Sequence, residues 1–106
     1  MKHDEIIAEI QDRAMARDIY SHYCRNSRLC EGDSGLPDLF LLGPSGAAWV
    51  EIKIPGDRLK PGQARWKYRL IAARQRHYVV GPAELADGRV DEILDVISDL
   101  PGKETQ

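Results

Sequence analysis

Residues 38–54 read Asp38-Leu39-Phe40-Leu41-Leu42-Gly43-Pro44-Ser45-Gly46-Ala47-Ala48-Trp49-Val50-Glu51-Ile52-Lys53-Ile54. Two largely apolar runs flank a Gly-Pro-Ser-Gly turn, which is the pattern of a β-hairpin with strands over 38–42 and 47–54. Side chains alternate along a strand, so Ala48, Val50, Ile52 and Ile54 share one face while Trp49, Glu51 and Lys53 share the other. Pro55-Gly56-Asp57 ends the second strand.

Downstream, Lys60-Pro61 opens a helix, because proline at the first helical position loses no intrahelical hydrogen bond. The helix is predicted to run to about Arg76, with Gln63, Trp66, Leu70 and Ala73 as its core-facing stripe. His77 to Val80 reads as a short strand stopped by Gly81-Pro82. Val90, Ile93, Leu94 and Ile97 mark a terminal helix that ends before Pro101-Gly102. Upstream, Ile6, Ile7, Ile10, Ala14 and Met15 recur at three- and four-residue spacing, predicting a helix over 4–17 with Asp4 and Glu5 at its positive end. A strand over 19–24 and a polar loop over 25–36 complete the order α-β-β-β-α-β-α. This order fits an α/β fold, a small mixed β-sheet flanked by helices, as one domain over 1–100 with a tail over 101–106.

The chain has 106 residues, 42% of them hydrophobic and 30% charged, enough for one compact domain and unlike a disordered or disulfide-built protein. No apolar run approaches the roughly 20 residues of a membrane span, and Met1 to Glu5 does not begin a secretory signal. The expectation is a cytoplasmic protein with no membrane partner. Cys24 and Cys30, with His22 nearby, lack the spacing and number of a zinc site and read as reduced thiols with no disulfide partner.

Net charge is −2, but it is laid out unevenly. Between Ile52 and Pro82, eight basic residues (Lys53, Arg58, Lys60, Arg65, Lys67, Arg69, Arg74 and Arg76) stand against Asp57 alone. A local basic stripe can hold a polyanion whatever the overall charge; a solvated helix face is the alternative.

The chemistry concentrates at one end of the hairpin. Asp38 begins one strand, Glu51 lies on its neighbour, and Lys53 follows on the same face as Glu51. Two carboxylates meeting there would repel and push one pKa up. A divalent cation removes the conflict, and oxygen ligands select Mg²⁺ or Mn²⁺. A nearby amine could then orient or deprotonate water, or stabilise a pentavalent phosphorane. Taken singly, each feature also has a plain reading, as a turn aspartate or a surface ion pair worth about 0–1 kcal/mol. Gln63 on an apolar stripe would cost about 1–3 kcal/mol if buried without a partner, and it could be satisfied by backbone or by the Glu51/Lys53 site.

Gly35-Leu36-Pro37-Asp38-Leu39, Glu51-Ile52-Lys53 and Gly56-Asp57-Arg58-Leu59-Lys60-Pro61-Gly62-Gln63 with Trp66 resemble the VRR-NUC family of the PD-(D/E)XK nuclease superfamily. The resemblance runs from the first helix to Gly81-Pro82. It implies a restriction-endonuclease-like core and a metal-dependent DNA endonuclease that leaves 5′-phosphate and 3′-hydroxyl ends. Asp38 and Glu51 match the metal-binding carboxylates, the Ile52 carbonyl a further ligand, Lys53 the catalytic lysine and Gln63 the glutamine that follows the core motif. The family also places a glutamate of the first helix near the metal; Glu5 is the choice, with Glu9 as the alternative. Stand-alone members of this size are bacterial or phage homodimers resembling Holliday-junction resolvases of DNA repair, so a four-way-junction substrate is expected. Arg58, Lys60, Arg25, Arg28 and Lys67 are the candidate DNA contacts, with His22 and Tyr23 also within possible reach of the phosphate. The competing readings are a catalytically silent DNA-binding or interaction module on the same scaffold, and a sequence-preferring nicking endonuclease.

Overall fold

The computed structural model describes residues 1–23 and 35–99. Cys24, Cys30, Arg25, Arg28 and the tail over 101–106 lie outside the described residues. The elements are α1 (His3–Met15), β1 (Tyr20–Tyr23), β2 (Leu39–Gly43), β3 (Gly46–Ile52), α2 (Pro61–Ala72), β4 (Arg76–Val80), α3 (Pro82–Ala86) and α4 (Arg89–Ser98). The sheet order is β1-β2-β3-β4. The first two pairings are antiparallel and β3 pairs β4 in parallel, as a strand–helix–strand crossover through α2 requires.

Alternation divides the sheet into two chemically different faces. Leu39, Leu41, Ala48, Val50, Ile52 and Val80 join one core with Ile6, Ile7, Ile10 and Ala14 of α1 and Val90, Leu94 and Ile97 of α4. The opposite face carries Phe40, Trp49 and Glu51, with α2 reaching it through Gln63. The Phe40 and Trp49 rings, cross-strand neighbours, stand 4.5 Å apart. No helix among the described residues is long and apolar enough to cross a membrane.

Several boundaries differ from the pattern-based ones. α2 stops at Ala72, leaving Ala73 exposed rather than in the core stripe. The cause is a helix-ending motif in which Arg74 takes a left-handed conformation (φ 60°). The Gln75 and Arg74 N–H groups then return to the Leu70 and Ile71 carbonyls. Glycine or asparagine normally marks such a stop, so arginine hid it. α1 ends likewise through Asp18 (φ 56°), and Met15 points outward, 74% exposed. The terminal helical region is two helices: Pro82 starts α3, whose Glu84 accepts the Gly81 N–H at 2.7 Å, and Gly88, in a positive-φ turn, separates it from α4.

Candidate active site

β3 ends at Ile52 because Pro55 and Gly56 turn the chain, and Asp57 closes that turn with its N–H on the Ile54 carbonyl at 3.0 Å. Asp38 sits one residue before β2, one step past the Leu39–Val50 pair. No strand residue answers the Ile52 N–H there, and the Asp38 Oδ2 accepts it at 2.9 Å. The aspartate is thereby fixed beside the carboxylate of Glu51.

Glu51 is 2% exposed, the one buried charged side chain among the described residues. Its pKa is pushed up to about 9, first by burial, then by hydrogen bonding with Asp38 and repulsion from its charge. Lys53 and Lys60 pull in the other direction without cancelling the rise. Glu51 therefore holds its proton far above the usual carboxylate range, because two bare charges in this dry corner would be too costly.

Gln63 ties the remaining groups together. It is the third residue of α2, where its Oε1 accepts the Lys60 N–H at 2.8 Å and completes the helix start. The same oxygen accepts from Lys53 Nζ at 2.9 Å, while Nε2 donates to Glu51 Oε2 at 3.3 Å. Lys53, 15% exposed, lies 3.9 Å from that carboxylate oxygen. A glutamine on an otherwise apolar stripe is thus satisfied by the site rather than by its own helix alone.

Two glycines let these segments meet. A Cβ on Gly35 would lie 2.5 Å from the Gly62 carbonyl carbon and 3.0 Å from the Gln63 nitrogen, so the segment leading into Asp38 crosses the first turn of α2 at backbone contact. A Cβ on Gly81 would collide with the Lys53 carbonyl, where the Lys53 N–H bonds Val80 at 2.9 Å and holds the end of β3 against β4.

Asp38, Glu51, Ile52, Lys53 and Gln63 line a cavity of about 350 Å³, with Arg58 and Lys60 around it. His3 and Asp57 also line it, joined at 3.2 Å; neither was singled out in the sequence. Asp57 was hidden as an ordinary Pro-Gly-Asp turn residue, and nothing in the local pattern of His3 signals the role. Glu5 and Glu9 do not line the cavity. The Glu5 carboxylate accepts the Lys2 N–H at 2.9 Å, and Glu9 holds Arg13 at 3.0 Å. Lys67 is half-buried on α2, away from the cavity lining. His22 is exposed on β1, and the Tyr23 hydroxyl bonds Asp4 at 3.0 Å. Among the described residues, no group of three or more His, Cys, Asp or Glu side chains could hold a metal ion.

With this geometry in place, comparison with known proteins gives consistent matches. The family model of the VRR-NUC domain matches residues 2–84, a span that holds every side chain lining the cavity. A solved structure titled "VRR_NUC domain" is 24% identical, covers 87% of this chain and 92% of its own, and superposes with a TM-score of 0.68. A second, "VRR_NUC domain protein", is 18% identical over 94% of this chain and 98% of its own, with a TM-score of 0.66. At these identities the likeness is one of fold. No curated protein matches.

Proposed function

Because the chain belongs to the VRR-NUC family and so carries a nuclease-like domain of the PD-(D/E)XK superfamily, we propose that it is a metal-dependent, structure-specific DNA endonuclease. It hydrolyses phosphodiester bonds to 5′-phosphate and 3′-hydroxyl ends, and its preferred substrate is a four-way junction. The observation that carries this reading is the Glu51 carboxyl, buried against Asp38 with its pKa driven up to about 9. That environment is costly for a structural residue and suits a cation site.

The donor set fits Mg²⁺ or Mn²⁺. Asp38 and Glu51 are linked by the raised pKa, and Ile52, which lines the same cavity, adds a carbonyl; all are hard oxygen donors. With two carboxylates rather than three, a bound ion would keep several water ligands, as Mg²⁺ commonly does. When bound, such an ion supplies charge neutralisation at the phosphate and lowers the pKa of a coordinated water.

The protein's own groups do the rest. Arg58 and Lys60 receive the phosphate at the cavity. Lys53, aimed by Gln63, hydrogen-bonds the attacking water and the non-bridging oxygens as negative charge grows on them. Water adds to phosphorus, the 3′-oxygen leaves, and a proton passes from the water to that oxygen through solvent. Resolving a junction takes two symmetric cuts, so the functional unit is a homodimer, the simplest way to present two sites from one short chain.

The experiment is cleavage of a fluorescent four-way junction, a matched duplex and a single strand, with Mg²⁺, Mn²⁺ or EDTA. The expected result is junction cutting that EDTA abolishes. Cutting of none of the three, or cutting indifferent to EDTA, overturns the proposal; faster cutting of duplex than junction overturns its substrate.

A further inference from the structure

We propose that the outer face of α2 is a second nucleic-acid contact, a ridge along which the backbone of a duplex DNA arm lies beyond the cavity. It rests on the nuclease reading only for why a duplex arrives at that end of the helix. The side chains concerned, Arg65, Tyr68 and Arg69, are not among those that line the cavity.

α2 reads Pro-Gly-Gln-Ala-Arg-Trp-Lys-Tyr-Arg-Leu-Ile-Ala and contains no acidic residue. Arg65, Tyr68 and Arg69 are exposed and stand three and four residues apart, on one side of the helix. Tyr68 is 71% exposed, an aromatic ring on the same side of the helix as the two arginines. Among the described residues, neither Arg65 nor Arg69 has a carboxylate within ion-pair distance.

The arginines on and beside α1 and α4 behave differently. Arg13 pairs with Glu9 and Asp91, Arg17 with Asp91 and Asp95, and Arg89 with Glu84 and Asp87. Acidic residues outnumber basic ones by 17 to 15, so the bare cations of α2 do not reflect a shortage of partners. An ordinary solvent-facing helix interleaves both signs, as α1 does with Glu9 and Arg13. A face of one sign is what a polyanion neutralises.

The direction of α2 links this face to the cavity. The helix starts at Lys60 and Gln63, which line the cavity, and rises about 1.5 Å per residue. Arg69 therefore stands about 14 Å along the axis from Lys60, close to four base pairs of duplex. Arg65 lies between them, and its guanidinium leans back toward Gly62 at the cavity end. Beyond Arg58 and Lys60 at the cavity, Arg65 and Arg69 thus carry positive charge further along the helix axis.

The test is fluorescence anisotropy with a fluorescein-labelled 24-base-pair duplex in EDTA, at several salt concentrations, beside thermal melting of each variant. Arg65→Ala with Arg69→Ala is expected to bind about tenfold more weakly, with a salt slope shallower by about two and an unchanged melting temperature. Arg65→Lys with Arg69→Lys should restore most of the affinity, and Tyr68→Ala should weaken it further. Wild-type affinity and slope in the double alanine variant would overturn the ridge, as would a loss confined to a single strand of the same length. A protein that binds duplex through these arginines yet cuts no DNA would sink the nuclease reading and leave the ridge standing; one that cuts normally but binds independently of them would do the reverse.

Discussion

The half of the molecule built from α1 and α4 neutralises its own charge, whereas the half built around α2 and the cavity does not. Between α1 and α4, Arg13 and Arg17 share Asp91 at 2.9 and 3.1 Å and reach out to Glu9 and Asp95. Around α2, two carboxyls crowd together with only Lys53 close by, 3.9 Å from Glu51, while arginines of the helix face outward without an anion. The first arrangement is finished by folding and serves stability. The second is left unbalanced by folding, which is what the proposed cation and phosphate backbone would answer.

That contrast can be broken first at the cavity. Asp38→Asn and Lys53→Ala should each lower cleavage by about 10²–10⁴-fold. Asp38→Asn should leave the metal-free melting temperature unchanged or higher, since it removes one of two crowded carboxylates. Lys53→Ala should lower it slightly, since Glu51 and Gln63 lose their cationic neighbour. A variant that unfolds instead would make these residues part of the scaffold. Glu51 offers the next test. Its folded pKa is raised, to about 9 from an ordinary value of 4.5, so the folded state holds a proton that the unfolded chain releases. In EDTA, stability should be full below about pH 4.5 and fall as pH rises toward 9, by a few kcal/mol over that window. Mg²⁺ or Mn²⁺ should flatten the fall by favouring the ionised carboxylate, and Glu51→Gln should remove it. A melting temperature indifferent to both pH and metal would contradict the buried-pair account.

Smaller effects sharpen the boundary between the halves. Gly35→Ala forces a methyl group onto the backbone of Gly62 and Gln63 and should cost about 1–3 kcal/mol. It should also slow cleavage, because Gln63 and Asp38 would no longer sit at their present separation; chemical denaturation and single-turnover rates measure the two. Arg17→Ala should cost about 1 kcal/mol through its partly buried pairs with Asp91 and Asp95 and leave DNA affinity untouched. An affinity loss there would mean that the self-neutralised half also touches the substrate.

Much of this organisation is readable in one dimension. The hairpin follows from the Gly-Pro-Ser-Gly turn between apolar runs, and the shared face of Glu51 and Lys53 from period-two alternation. Pro61 signals the start of α2, and Gln63 stands out as a polar residue on an apolar stripe. The helix ends were obscured because Asp18 and Arg74 adopt the left-handed turn that glycine usually supplies. α3 was missed because five residues carry too little periodicity to register. His3 and Asp57 were missed for another reason: they are 54 positions apart and meet only when α1 packs beside the β3 turn.

What the order of residues determined alone was the set of elements and the chemistry each could offer, because turn signals and side-chain periodicity are local properties. Tertiary structure decided which of those groups stand in dry contact. Two carboxyls become a strained pair, and one glutamine becomes the brace of a lysine, only when the entry to β2, the end of β3 and the start of α2 converge. Burial and electrostatic coupling depend on distance through space, and folding is what sets that distance.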